Sequence, residues 1–473
     1  MIGDMSPWRP SSSRVGLLTA LLLLPALVAV FVELPTRSAS ADEPPPNIIL
    51  ILTDDQRVDT LRYMPIVRQT LGKHGVTFTN AYVSNPVCCP SRASILTGLY
   101  SHSTGVYTNS FAGGFAAFDD SSTIATWLRD AGYHTGLFGK YLNGYETTYV
   151  PPGWDRWFAT QGSAAYYRYR ATSDGAVIEF GDEPTDYATS VIGEEAISFI
   201  QETPTEQPLF AYVSVPAPHD PSIAAPGDEG AFAKLEPWRP LSFNERDVKD
   251  KPLYIRNNPW LKADRRREID VARIRQVRSL LAVDRLVEDI VDVLRETGRL
   301  QNTIVVFTSD NGVLWGEHRW DSKDVPYEES IRVPLIVRYD ALIPAARTDT
   351  NLVMNIDLAP TFAHAAGVTT PAVEGASFLP LLLDPATSWR QGFLLEHMAS
   401  HGGNAVPSFC GYHTRRYVLI RYSGDSSELY DLKVDRLQRE NVFDAPAYAQ
   451  VQASLDDRLA AACDPPPPGM SLT

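Results

Sequence analysis

Two short runs constrain this chain most. Asn47-Ile48-Ile49-Leu50-Ile51-Leu52-Thr53 and Thr303-Ile304-Val305-Val306-Phe307-Thr308 are apolar at nearly every position. A strand sends alternate side chains to opposite faces, so an unbroken isoleucine- and valine-rich run fits a strand buried on both. Such a strand needs helices on each side. Leu209–Val215 has the same character. From about Arg275 to Glu296, Val277, Leu280, Val287, Val291 and Leu294 recur at helical spacing, and Gly298 is placed to stop the helix. The pattern predicts an α/β fold with a large, mostly parallel sheet flanked by helices. With 473 residues, 44% of them hydrophobic, the chain can bury one large core and a smaller second unit.

After about residue 370 the pattern changes. Tyr417–Tyr422, Gly424 and Glu428–Leu432 read as an antiparallel hairpin, followed by a helix from about Pro446 to Ala462. We therefore expect an α/β domain over 47–370 that carries the active site. Residues 371–473 are expected to form a C-terminal subdomain with a small antiparallel sheet and a helix, then a tail disordered at Asp464–Pro468. The stretch Gly227–Lys262 has no period and receives no assignment. No internal repeat is present.

Arg9 and Arg14 precede an apolar run from Val15 to Val32, and Ala39-Ser40-Ala41 is a small-residue cleavage pattern. Residues 1–41 read as a signal peptide, with an uncleaved anchor as the alternative, and 42–46 as a proline-stiffened linker. The folded part is then secreted or periplasmic. The net charge of −15 opposes nucleic acid and anionic membrane, so an anionic ligand requires a focused local site. The four cysteines, Cys88, Cys89, Cys410 and Cys463, make no zinc pattern. Adjacent cysteines rarely bridge each other, so an exported chain would pair Cys410 with Cys463, stapling the last helix to the preceding loop.

Ligands of open parallel sheets gather at the carboxyl ends of strands. Asp54, Asp55, Asp310 and Asn311 follow the two buried runs. Acidic residues after strands are also common caps and turn formers. Two such pairs after similar strands favour a hard cation on oxygen ligands, Ca²⁺ or Mg²⁺. In Asn85–Gly98, Pro90 suits a first helical turn and Gly98 the end, which places Cys88 at a helix N-terminus. Free N–H groups there attract an anion, and Arg92 can fork onto its oxygens. A cysteine before a helix is otherwise a small buried apolar residue.

Cys88-Cys89-Pro90-Ser91-Arg92 with Leu96-Thr97-Gly98 resembles the sulfatase signature. Thr53-Asp54-Asp55-Gln56, Gly139-Lys140-Tyr141-Leu142-Asn143, Pro216-Ala217-Pro218-His219, Thr308–Gly312 and Glu428-Leu429-Tyr430-Asp431-Leu432 follow in family order. The resemblance covers residues 47 to about 445, lies nearest the N-acetylglucosamine-6-sulfatase branch, and implies the alkaline-phosphatase-like fold. It implies that Cys88 is converted to formylglycine by the formylglycine-generating enzyme. It also implies that Asp54, Asp55, Asp310, Asn311 and the modified Cys88 hold one Ca²⁺. Arg92 would stabilise the formylglycine hydrate, while Lys140, His219 and Lys323 contact the sulfate and leaving group. One departure is Leu142, where arylsulfatase-type members carry histidine; Asn143 is a candidate substitute.

The expected activity is hydrolysis of sulfate monoesters, those of sulfated sugars foremost, through the hydrated aldehyde at residue 88. A phosphate or phosphonate ester hydrolase of the same fold is the alternative, and a carbohydrate-binding protein that lost catalysis is a third reading. Three further features have plainer readings. His318 either lines the site or anchors a loop. Arg265-Arg266-Arg267, with Arg273, Arg275 and Arg278, reads as a solvated helix face paired with Asp264, Glu268 and Asp270. Asp284, which interrupts an apolar helix face, reads as a hydrogen-bonded structural group.

Overall fold

The computed structural model describes residues 44–472, except Phe111, Ser163, residues 400–405 and Asp425. The expected signal segment and residues 42–43 lie outside the described residues. Ten strands form one sheet: β1 (Asn47–Thr53), β2 (Gly75–Tyr82), β3 (His134–Lys140), β4 (Arg156–Thr160), β5 (Arg170–Ser173), β6 (Ala176–Glu179), β7 (Leu209–Ser214), β8 (Thr303–Ser309), β9 (Leu335–Arg338) and β10 (Arg347–Met354). Their order is β10-β2-β9-β8-β1-β7-β3-β4-β5-β6. The centre, β8-β1-β7-β3-β4, is parallel throughout. Antiparallel pairings enter at β9 and at β5 and β6.

The unbroken apolar runs are explained by two cores, one on each sheet face. Ile48, Leu50 and Leu52 of β1 join one core, and Ile49 and Ile51 join the other. β8 divides in the same way, with Ile304 and Val306 on one side and Val305 and Phe307 on the other. The first core includes residues of the helices Cys88–Thr97, Ile124–Asp130 and Leu358–Ala365. The second includes residues of Ala188–Glu202 and Ala263–Glu296.

That last helix begins at Ala263, earlier than its apolar period suggests. Its first turns carry arginines that engage other parts of the chain. Arg273 is buried and donates to the Glu236 carbonyl at 2.7 Å and to the Tyr63 hydroxyl at 2.8 Å. Arg278 donates to the Ala231 carbonyl at 2.6 Å. These two therefore hold the irregular 227–262 stretch rather than facing solvent. Arg265 does pair with Glu268, and Arg267 with Asp264, but Asp270 pairs with Arg239 instead. Asp284 accepts from the backbone N–H groups of Ile66 and Val67 at 3.0 and 2.7 Å, the structural role expected of it.

A second sheet contains β11 (Gly392–His397), β12 (Phe409–Thr414), β13 (Tyr417–Tyr422) and β14 (Ser427–Asp431), antiparallel and in that order. Phe393, Leu395, Val418, Ile420 and Tyr430 join the first core of the large sheet. The opposite face takes the helix Ala449–Ala462 through Leu455 and Leu459. Two expectations need correction here. The segment after Cys463 is packed, with Pro467 and Met470 buried, the latter against Leu394 and Leu429. Pro44 and Pro46 are docked, their carbonyls accepting from Asn302 and the Tyr133 hydroxyl at 3.0 and 2.9 Å. Among the described residues no helix is long and apolar enough to cross a membrane.

Cys410 and Cys463 are bridged, with Cα atoms 6.4 Å apart. Cys410 lies within β12, so the bridge ties the last helix to the sheet itself and not to a loop. It closes a loop between residues 53 apart in sequence. The double variant Cys410→Ser/Cys463→Ser is expected to lose about 2–4 kcal/mol, since cross-linking restricts the unfolded chain. Urea unfolding of the two proteins measures this; equal midpoints would show that helix packing alone fixes the C-terminus.

Candidate active site

The carboxyl ends of β1, β3, β7 and β8 converge on the N-terminus of helix Cys88–Thr97. Val87 is the extended N-cap residue, and Gly98 ends the helix at φ 73°. All ten helix residues are buried. The N-terminal N–H groups and the dipole therefore act in a poorly screened environment, which suits a bound anion.

Asp54, Asp55, Cys88 and Asp310 each offer a ligand atom within 4.8 Å of the others. Asp55 adopts a left-handed backbone conformation, φ 68°, and its N–H donates to Asp310 Oδ1 at 3.1 Å. Asn311 donates through Nδ2 to Asp55 Oδ1 at 2.6 Å. Its Oδ1 is buried with no hydrogen-bond partner. An orphaned amide oxygen beside three carboxylates is a donor set for a hard cation, so the residues present fit one.

Each carboxylate also has a cationic neighbour. Lys140 Nζ lies 2.6 Å from Asp54 Oδ2, and Arg92 Nε lies 2.7 Å from Asp310 Oδ2. Lys323 Nζ lies 2.5 Å from Asp55 Oδ1 and 2.6 Å from Cys88 Sγ. Arg92 is fully buried and spends Nη1 on the Lys140 carbonyl and Ser214 Oγ, at 2.9 and 2.6 Å. Its Nη2 is left unpartnered, 4.0 Å from Asp54 Oδ2. Lys140 enters because Gly139 precedes it. Gly139 has φ 106°, and a Cβ there would fall 1.9 Å from the Ser214 carbonyl oxygen. The glycine thus lets β3 lie close to β7 with lysine at its tip.

His219 stands at the mouth, 26% exposed, with Nε2 3.7 Å from Asp55 Oδ2. Its Nδ1 is 2.7 Å from the Asp220 carbonyl; an N–H there fixes the ring and directs Nε2 inward.

The charges set each group's titration. Burial alone would raise the Asp54 carboxyl, but Lys140, His219, Arg92 and Lys323 together hold it well below the usual carboxylate range. Burial, and then Asp54, raises that of Asp310. Burial opposes the charge on Lys323, yet Asp55 and then Cys88 keep its pKa well above the ordinary lysine value. Burial, then Asp310 and Asp54, push the Cys88 thiol well up. Without a cation on these carboxylates, an unmodified Cys88 thiol is therefore held against ionisation.

The Sulfatase family model matches residues 46–368. The chain belongs to the sulfatase family. A second model, N-sulphoglucosamine sulphohydrolase, C-terminal, matches residues 316–464. The extracellular sulfatase SULF-1 homolog of Drosophila melanogaster is 36% identical over 76% of this chain and 34% of its own length. This sulfatase-family chain thus spans about a third of that relative. Human N-acetylglucosamine-6-sulfatase is 34% identical over 77% of this chain and 69% of its own. A solved structure in complex with its substrate D-glucosamine-2-N,6-O-disulfate superposes with a TM-score of 0.78. It is 28% identical and covers 89% of this chain and 98% of that one.

Cys88, Arg92, Lys140, Lys323 and the metal-ligand candidates of this sulfatase-family chain lie in the cluster, and His219 at its mouth. His318 does not: it is buried, with Nδ1 2.8 Å from Glu245 and its ring stacked on Tyr327 at 4.3 Å, so it anchors a loop. Leu142 is packed in the first core, while Asn143 has a buried, unpartnered Oδ1. Ser214 was missed, although it ends a buried strand just as Thr53 does. Cys89 takes a support role, its N–H donating to Asn109 Oδ1 at 2.9 Å.

Replacing Arg92 with methionine leaves Asp310 buried beside other carboxylates. Breaking a buried pair in this way costs about 3–5 kcal/mol. The loss should appear in urea unfolding of the metal-free protein, and a loss below about 1 kcal/mol would mean that Asp310 is neutralised some other way.

Proposed function

We propose that this protein hydrolyses sulfate monoesters of sulfated sugars, with the 6-sulfate of glucosamine units as the leading substrate. The observation that carries this reading is the charge arrangement around residue 88. Asp54, Asp55 and Asp310 are balanced by Lys140, Lys323 and Arg92. A divalent cation on the same oxygens would leave the site two charges positive, which suits a singly charged sulfate ester. The family and the names of the relatives above support the same class of substrate.

Asp54, Asp55, Asp310 and the Asn311 amide oxygen would hold Ca²⁺, which when bound neutralises sulfate oxygens as a Lewis acid. Oxidation of Cys88 to formylglycine, in the setting Cys88-Cys89-Pro90-Ser91-Arg92, supplies a hydrated aldehyde as the oxygen nucleophile. The chain's own groups do the rest. Arg92 Nη2, otherwise unpartnered, is free to donate to an oxygen at residue 88 as charge builds there. Lys323, beside both Asp55 and residue 88, keeps a proton donor against the reacting oxygens. Lys140 meets sulfate from the β3 side. His219, its Nδ1–H held by the Asp220 carbonyl, offers Nε2 to the leaving sugar oxygen, and the charged ring delivers a proton there.

The maturation partner is a formylglycine-generating enzyme, and the expected location is outside the cytoplasm. Ion-chromatographic detection of released anion across matched sulfate, phosphate and phosphonate esters tests the activity. Sulfate release from 6-sulfated glucosamine should dominate; faster phosphonate cleavage would favour the alternative hydrolase.

The two neighbouring cysteines separate the mechanism from simple anion binding. Cys88→Ser keeps one hydroxyl but no second one, and turnover should fall at least a thousandfold. Cys89→Ser should retain most activity. Peptide mass spectrometry of the active enzyme should show the thiol-to-aldehyde loss at Cys88. Full turnover with an intact Cys88 thiol would overturn the nucleophile. Removal of metal with a calcium chelator should abolish turnover, and added Ca²⁺ should restore it; chelator-resistant activity would exclude the ion.

A further inference from the structure

A cavity of about 660 Å³ includes none of the active-site residues. Its walls come from both sheets. Asn80 and Tyr82 of β2 and the segment Glu328–Arg332 meet the β12–β13 turn, the residues after β14, and Trp238 from the irregular 227–262 stretch. Six of its lining side chains are cationic and three are carboxylates. That balance is opposite in sign to the chain's overall charge of −15.

The pairing within the cavity shows which charges are free. Arg57 is committed to Asp59 and Glu317 at 3.0 and 2.9 Å, and Arg416 to Asp431 at 2.7 Å. Arg332 donates Nε and Nη2 to the Thr79 carbonyl, at 2.9 and 2.6 Å. Among the described residues, Arg415, Lys433 and Arg436 have no carboxylate within ion-pair distance. Arg415 donates only to the amide oxygen of Asn351, at 2.7 Å, which aims the guanidinium without neutralising it. Beside these cations stand the half-buried apolar surfaces of Leu432 and Leu437, while the Trp238 ring already meets the guanidiniums of Arg57, Arg62 and Arg273 at 5.7, 5.3 and 5.7 Å.

Uncommitted cations spread over a cavity, with aliphatic faces among them, match a ligand with separated anionic groups on rings with apolar faces. Arginine forks fit sulfate and carboxylate oxygens, and the two leucines fit the C–H face of a pyranose. The volume falls within the range of about 300–1,000 Å³ typical of small-ligand sites, enough for a few sugar units. An extended nucleic acid would meet the repulsion of the remaining acidic surface.

We propose that this cavity is a second carbohydrate site, which holds sulfate and carboxylate groups of an anionic oligosaccharide on Arg415, Lys433 and Arg436 and a sugar face against Leu432 and Leu437. It deepens the sulfated-sugar reading by adding a place where a longer substrate is gripped away from the reacting ester. It rests on that reading only for the choice of glycan.

The test uses the full chain carrying Cys88→Ala, so that the ligand survives. The probe is a defined tetrasaccharide of alternating uronate and N,6-disulfated glucosamine, with binding followed by calorimetry. Adding Arg415→Ala, Lys433→Ala and Arg436→Ala should weaken binding at least tenfold. The desulfated, N-acetylated tetrasaccharide should bind at least tenfold more weakly than the sulfated one to the chain that keeps all three cations. In the catalytically intact protein the triple change should leave turnover of a 6-sulfated monosaccharide unchanged while raising KM for the tetrasaccharide. Lys433→Glu alone serves if the triple variant unfolds, and should weaken binding at least threefold. Unchanged tetrasaccharide affinity in the altered chains would overturn the proposal. So would inorganic sulfate competing at the tetrasaccharide's own affinity, which marks a small-anion site. Failure to turn over any sulfated monosaccharide, with the tetrasaccharide still bound through these cations, would reject the catalytic reading and leave the cavity standing.

Discussion

The buried contact between Arg92 and Asp310 is the joint on which the site depends. Neither side chain reaches water. Taking both out of solvent costs several kcal/mol per ion on the order of, so they remain charged there only because they meet each other. Arg92 belongs to the helix that carries Cys88, and Asp310 ends β8. The remaining donors of Arg92 reach the Lys140 carbonyl at the end of β3 and Ser214 at the end of β7. One guanidinium thus fixes the reactive helix against three strand ends. Lys140 with Asp54 and Lys323 with Asp55 repeat the pairing on β1. Matching each carboxylate to its own cation lets like charges crowd within a few ångströms without expelling one another.

What the sequence revealed follows from where its signals are local. β1, β8 and the Cys88 helix were legible because burial on two faces, a first-turn proline and a closing glycine each leave marks within a few residues. The disulfide pairing was legible because only two cysteines remained once the adjacent pair was set aside. β6 left no mark, since Ala176–Glu179 is exposed at every position and carries no apolar rhythm. The first turns of Ala263–Glu296 were hidden because they are filled with charged side chains that pair locally, or, for Arg273, bond to Glu236 and Tyr63, and carry little apolar rhythm. The same bonds explain why 227–262 has no period of its own: its shape comes from Arg273 and Arg278, far along the chain. Within the site, the carboxylates were readable from their strands. Ser214 was not, because serine after a strand is too common to single out without its partner.

The Glu428-Leu429-Tyr430-Asp431-Leu432 segment lies outside the reacting cluster, yet it bears on that cluster's geometry. Glu428 is buried on β14 and accepts from the hydroxyls of Tyr327 and Tyr422 at 3.0 and 2.5 Å, and from Tyr430. Burial raises its carboxyl above the ordinary range, and the three phenols offset part of that cost. Tyr327 follows Lys323 by four residues, and the intervening Val325 and Pro326 are buried. The small sheet therefore pins the segment that carries Lys323. His318 stacks on the other side of Tyr327 and ties it to Glu245.

This support matters because of what residue 88 must be. In the site as built from cysteine, burial and the neighbouring carboxylates push the Cys88 thiol up, so a thiolate would be opposed by Asp54 and Asp310. A cysteine nucleophile would need the reverse, an electropositive pocket that pulls the pKa down. The site has its cations, but each is committed to a carboxylate. A neutral hydrated aldehyde carries no charge for those carboxylates to oppose, and its oxygens can accept from Lys323 and Arg92 without breaking their pairs. Under the proposed reading, the metal-free charge pattern that disfavours a thiolate is the one that admits the neutral oxidised form, and a hard cation then takes up the same carboxylates.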